Sequence, residues 1–209
     1  MLKEQMKEEL KLLGLKNLKH PLFYNCHNGI RFEIGVGDVY GNDREPRKEY
    51  IENALSRAIT IYNKGIQCPG LLMWEVYPQN DKEKHSFEVL FTEKIAPFLP
   101  QEELSQDVNM DGCTIRQTQL YWNLKDSKIP MGKVFREILL GDLGGLQEFI
   151  SSVYLFDIEN HVMFHLYDDR GLDIISHDKN TLMPLYQELN AWILDYDREQ
   201  IDERFFDFL

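Results

Sequence analysis

At 209 residues, 43% of them apolar and 12% aromatic, the chain is long enough to bury a full core and lacks the composition of a disordered polymer. Its formal net charge is −12, and from Asp157 onward thirteen acids face four Lys and Arg, so the acidity is concentrated in the C-terminal quarter. A field of that sign repels phosphate backbones and anionic lipid headgroups, which argues against nucleic-acid and membrane-surface partners and favours a basic protein.

Three cysteines, Cys26, Cys68 and Cys113, form no C-x-x-C pair and are odd in number, so neither a disulfide framework nor a zinc site is expected from them. The first fourteen residues, MLKEQMKEELKLLG, are charged throughout and lack the apolar centre of a signal peptide. No run approaches the roughly 20 apolar residues of a membrane span. A cytoplasmic location is the expectation.

In chain order, Met6, Leu10 and Leu13 recur at helical spacing, and Gly14 ends that helix. The segment NGIRFEIGVGD predicts a strand entered through Asn28-Gly29, with Ile30, Phe32 and Ile34 on one side and Arg31 and Glu33 on the other. GVGD lacks the spacing and the Lys of a phosphate loop, and no cofactor is expected. Asp43 to Pro46 resembles a helix start. Ile51, Ala54, Leu55, Ala58, Ile61 and Tyr62 then keep helical period to Gly65. GLLMWEVYP (residues 70–78) predicts a second strand, which allows a parallel crossover or an α+β layer. QNDKEK (79–84) reads as a polar loop, and residues 87–99 carry no clear period.

TIRQTQLYWNL (114–124) predicts a strand with neither face cleanly apolar. Pro130 opens a helix whose buried stripe is Val134, Phe135, Ile138 and Leu139. Glycines 141, 144 and 145 end it and mark a candidate linker, so one domain, or two lobes (1–143 and 144–209) sharing a core, is expected. Residues 153–176 then predict three short strands. A long amphipathic helix follows, capped by Asp178, with Leu182, Leu185, Leu189, Trp192 and Tyr196 as its seam. Pro184 fits if it lies in the first turn. The phenylalanines at 205, 206 and 208 suggest docking of the tail onto the body or a partner.

The densest polar cluster is His165, Asp168, Asp169, Arg170, Asp173, His177 and Asp178, with Tyr167 between. Carboxylates and imidazoles suit a divalent ion, and His165, Asp169, Asp173 and His177 are the weak ligand candidates. No spacing matches a ligand signature, however, and the plainer reading is a β-turn with Arg170 paired to Asp168, Asp173 or Glu33. Cys26 beside His27 lacks the geometry of a thiolate-imidazole pair, and no G-x-S-x-G elbow occurs. His165, Tyr167, Asp168, Asp169, Arg170, Asp173 and Trp192 form the candidate binding set.

FHLYDDRGLDII and WILDYDR, with RFEIG upstream, resemble an uncharacterised bacterial domain-of-unknown-function family, number 3885. The resemblance implies membership and carries no activity. The expected fold is α+β: a mostly antiparallel sheet of five or six strands with helices packed chiefly on one face. The expected function is a non-enzymatic protein-binding module, in its specific form an immunity or antitoxin-type protein for a basic toxin. The alternative is a metal-dependent hydrolase built on His165, Asp168, Asp169, Asp173 and His177.

Overall fold

The computed structural model describes residues 1–206. Among them, seven strands form one antiparallel sheet: β1 (Gly29–Glu33), β2 (Leu71–Val76), β3 (Glu102–Met110), β4 (Cys113–Asn123), β5 (Val153–Asp157), β6 (Val162–Leu166) and β7 (Gly171–Ser176). Their order is β1-β7-β6-β5-β2-β4-β3. The class is the expected α+β, with seven strands in place of five or six. β3 is the strand that sequence pattern hides. It pairs with β4 alone and stays largely exposed, so nothing forces apolar alternation on it. The Asp111-Gly112 turn that joins the two has positive φ at both residues, 52° and 83°, as a tight hairpin requires. No parallel crossover joins β1 to β2. β1 pairs with β7, and β2 lies between β5 and β4.

The helices are α1 (Leu2–Leu12), α2 (Lys48–Gly65), α3 (Asp81–Lys94), α4 (Met131–Leu140), α5 (Lys179–Glu188) and α6 (Arg198–Phe205). Alternating strand residues divide the core between two sheet faces. Phe32, Leu72, Trp74, Leu155, Phe164 and Ile174 face the layer made by α2 to α5. Leu71, Met73, Tyr121, Tyr154, Met163 and Ile175 face α1 and the segment behind it, through Met6, Leu13, Leu15 and Leu22. Hence β2, β5, β6 and β7 are buried at every position, and LLMWEV reads as an unbroken apolar run save for Glu75.

Three local expectations change. The stretch read as a polar loop starts α3: the Asn80 side chain accepts from the Glu83 N–H at 3.0 Å and caps it. α2 begins at Lys48, because Arg44 takes a left-handed φ of 66° and Tyr40 bridges Pro46 before it. The long C-terminal helix is broken. α5 stops at Glu188, Ile193 turns extended to bridge Phe32, and the Leu194 N–H donates to the Arg31 carbonyl at 2.9 Å. Pro184 is the sixth residue of α5 rather than part of its first turn. Trp192 therefore lies under Arg57, 4.9 Å from ring to guanidinium, and Tyr196 points away from the core at 86% exposure. Of the tail, Phe205 is buried and stacks on Tyr186 while Phe206 is exposed; Phe208 lies outside the described residues.

Candidate functional site

The β1, β7 and β6 registers set Arg31 opposite Asp173 and Asp173 opposite His165, all on the face beneath the N-terminal segment. The His165 ring stacks on Tyr154, 4.3 Å between centroids and 10° between planes. Over this row lies the turn Leu22–Asn25, which places the Phe23 N–H 3.1 Å from Asp173 Oδ2. His20, just before the turn, meets His165 edge-on at 5.3 Å and Tyr167 at 4.6 Å.

Arg31 joins this row to the C-terminal segment. Its Nε donates to Tyr167 Oη at 3.1 Å and lies 3.4 Å from Asp173 Oδ1. Its Nη1 donates to Tyr24 Oη at 3.1 Å and to Asp197 Oδ2 at 3.2 Å, and Tyr24 Oη donates to Asp197 Oδ1 at 2.7 Å. Three polar atoms in this otherwise paired row are buried with no hydrogen-bond partner: both ring nitrogens of His165, and Asp173 Oδ1. One His165 nitrogen faces the Ser151 carbonyl, but in a geometry short of a hydrogen bond.

Burial sets the protonation here. It holds His165 down to about 3, so the imidazole is neutral near pH 7. It pushes the Asp173 carboxyl up to about 6, against the pull of the Phe23 N–H and Arg31. It also lowers His20, helped by the positive field of Arg31. Burial opposes the charge on Arg31, but Tyr167, Asp173 and Asp197 outweigh it and hold the guanidinium firmly protonated.

The structure thus separates the sequence-derived candidates. His165, Tyr167 and Asp173 meet. Asp168 instead accepts from the Arg170 N–H at 2.8 Å and its Nε at 2.9 Å, which settles the partner of Arg170 among the three weighed. Asp169 turns the other way and accepts from Tyr50 Oη at 2.7 Å. His177, exposed, lies 2.9 Å through Nδ1 from the Leu12 carbonyl at the end of α1, and Trp192 is remote under Arg57. The five residues weighed as a hydrolase metal site do not assemble. Among the described residues, the one group of three or more His, Cys, Asp or Glu residues whose ligand atoms lie within 4.8 Å of one another is His20, His165 and Asp173. Sequence reading missed His20, Tyr24, Arg31 and Asp197 as site residues. Arg31 and Asp197 do fall inside RFEIG and WILDYDR, the segments that carry the family resemblance.

Two other surfaces were open to a ligand. A groove of about 690 Å³ runs between α1, the lysines at 16 and 19, and strands β2 to β4. Its polar floor is already satisfied: Tyr77 and Gln119 both donate to Glu75, and Tyr121 donates to Gln119. The second is a shallow depression beside α6, lined by Asp195, Arg198, Glu199, Asp202, Glu203 and Phe206. Arg198 is committed to Asp195, the Asn190 side chain and carbonyl, and the Ile193 carbonyl.

Among known proteins, the chain is similar to the Bacillus subtilis (strain 168) protein described as "Uncharacterized protein YnaE", 34% identical over 53 residues. That match covers 25% of this chain, and the chain spans about a quarter of that relative's length. No solved structure matches. No helix among the described residues is long and apolar enough to cross a membrane. A family model matches residues 2–197, taking in the whole sheet, the buried row and the Asp197 latch, and the chain belongs to that family, Domain of unknown function (DUF3885).

Proposed function

We propose that the protein is a non-enzymatic protein-binding module that receives a basic protein on the face formed by residues 195–206, in the manner of an immunity protein that neutralises a basic toxin. The observation that carries this reading is Tyr196: an aromatic side chain 86% exposed, next in sequence to Asp195, which itself lines a surface depression with Glu199, Glu203 and the exposed Phe206. Aromatic anchors supply interface area at low entropic cost, while like-signed charge around them steers an oppositely charged partner. The Asp197–Arg31–Tyr24 bonds latch the segment to β1, so Tyr196 is offered from a fixed backbone. The acidic turn at Asp168 and Asp169 supports the same reading, because its carboxylates are spent on Arg170 and Tyr50 rather than turned into a pocket.

The test places a photo-crosslinking amino acid at position 196 in cells, and at Tyr40, which is 51% exposed, as a control. The expected result is a crosslink from position 196 alone, to a protein of net positive charge, that weakens when Glu199 and Glu203 are both changed to Lys. A crosslink shared by both positions, an acidic product, or no product at 196 would overturn the reading.

A further inference from the structure

Beyond the protein-binding reading, and independent of it, the geometry points to a divalent transition-metal site of the Zn²⁺ class at His20, His165 and Asp173. The donor set is two neutral imidazoles and one carboxylate, the chemistry that zinc, cobalt and ferrous iron share and that magnesium and calcium do not favour. The three ligand atoms lie within 4.8 Å of one another, and a tetrahedral ion would draw them to about 3.4 Å, given bonds of about 2.0–2.1 Å.

Two independent features give this group more than proximity. First, His165 is fully buried with neither nitrogen hydrogen-bonded, and Asp173 Oδ1 is likewise without a hydrogen-bond partner. Buried polar atoms are almost always satisfied, and one His165 nitrogen together with Asp173 Oδ1, on facing side chains, would both be satisfied by a shared ion, the other His165 nitrogen lying by the Ser151 backbone. Second, the surroundings are those of a supported metal ligand. The Phe23 N–H holds Asp173 Oδ2, while Oδ1, 3.4 Å from Arg31 Nε, accepts no hydrogen bond. Arg31, the nearest competing cation, keeps Tyr167, Tyr24 and Asp197 if a metal takes Oδ1. His20 is exposed and lies on the N-terminal segment, so it supplies both the entry path and the ligand able to swing inward. Bound metal would clamp that segment to the sheet through His20.

The experiment titrates chelator-treated full chain with Zn²⁺ and, as a spectroscopic probe, Co²⁺, by calorimetry and visible absorption, with Mg²⁺ and Ca²⁺ alongside. One Zn²⁺ per chain is expected, with Co²⁺ giving the intense bands of a four- or five-coordinate ion and Mg²⁺ and Ca²⁺ giving no saturable binding. His20→Ala, at an exposed position that leaves the core intact, should weaken binding at least tenfold. His165→Phe should abolish it, and His177→Ala should leave it unchanged. The absence of stoichiometric binding to the wild-type protein overturns the proposal. So does binding that survives His20→Ala, or binding lost instead in His177→Ala.

Discussion

Replacing His165 by phenylalanine should stabilise the metal-free protein. Core substitutions usually destabilise, so the sign is the informative part. A neutral imidazole carries one donor and one acceptor, and both are buried without a hydrogen-bond partner. An unsatisfied buried polar group costs about 1–3 kcal/mol. Phenylalanine removes both and keeps the stacked ring on Tyr154 at 4.3 Å, but adds about one heavy atom to a closed space, for which overpacking costs about 1–3 kcal/mol. The balance favours the variant by about 1–2 kcal/mol. For a chain of this length each kcal/mol moves the melting temperature by about 2–4 °C, so a rise of about 2–8 °C is expected by circular dichroism in the presence of chelator. His165→Leu, which loses the stack, should gain less. A fall in stability with phenylalanine would mean that the imidazole makes a stabilising hydrogen bond, and the reasoning from orphaned nitrogens would fail. If the rise is observed, the native chain retains His165 at a cost in stability, the usual mark of a residue kept for something other than the fold.

Three further outcomes are expected. Asp197→Ala strips Tyr24 and half-buried Arg31 of their shared acceptor and should cost about 2 kcal/mol in urea unfolding, since Arg31 keeps Tyr167 and Asp173; a loss under about 0.5 kcal/mol would show that the latch is ornamental. Gly35→Ala would set a Cβ 2.2 Å from Tyr50 Oη and 2.6 Å from the Asp169 carbonyl, so Tyr50 must leave Asp169; a loss of about 2–3 kcal/mol is expected, against near neutrality if that loop yields freely. Burial raises the Glu9 carboxyl above its ordinary 4.5, against the lowering pull of His161, so folding favours its protonated form and that contribution is lost as pH climbs through the folded value. Glu9→Gln should therefore gain on the wild type as pH rises from about 4 to about 7, and a difference that stays flat across that window would contradict the sign.

The elements that sequence pattern resolves are those whose burial is one-sided and regular. α2 and α4 show their stripes, whereas β6, read from the alternation of Val162, Phe164 and Leu166, is buried on both faces. The missed elements fail for stated reasons. β3 is an edge strand with polar residues on both faces, and α3 buries Phe91 alone among its fully described positions, so its period is faint. The broken C-terminal helix kept the period of a continuous one, because Trp192 and Tyr196 fall at helical spacing after the buried Leu182, Leu185 and Leu189 although each lies in a separate short turn beyond α5. The site was half legible. His165 and Asp173 stood out in a polar cluster, but proximity in sequence drew in Asp168, Asp169 and His177, whose strand-end geometry turns them elsewhere. His20, Arg31 and Asp197 lie at least 145, 134 and 24 residues from His165 and Asp173, a distance that no local pattern encodes.

The sheet order has a consequence for the newborn chain. β1 is the first strand translated, yet its neighbour β7 begins at Gly171, after all the other strands have emerged. At synthesis rates of about 5–20 residues per second, Ile30, Phe32 and the preceding Leu22 and Phe23 wait on the order of 10–30 s for the surface that covers them. The β3–β4 hairpin and β2 beside it can close by themselves in that interval, whereas both layers that sandwich β6 and β7 can be completed only after Ser176 has emerged. During that wait the N-terminal stretch is the part of the protein most in need of a chaperone.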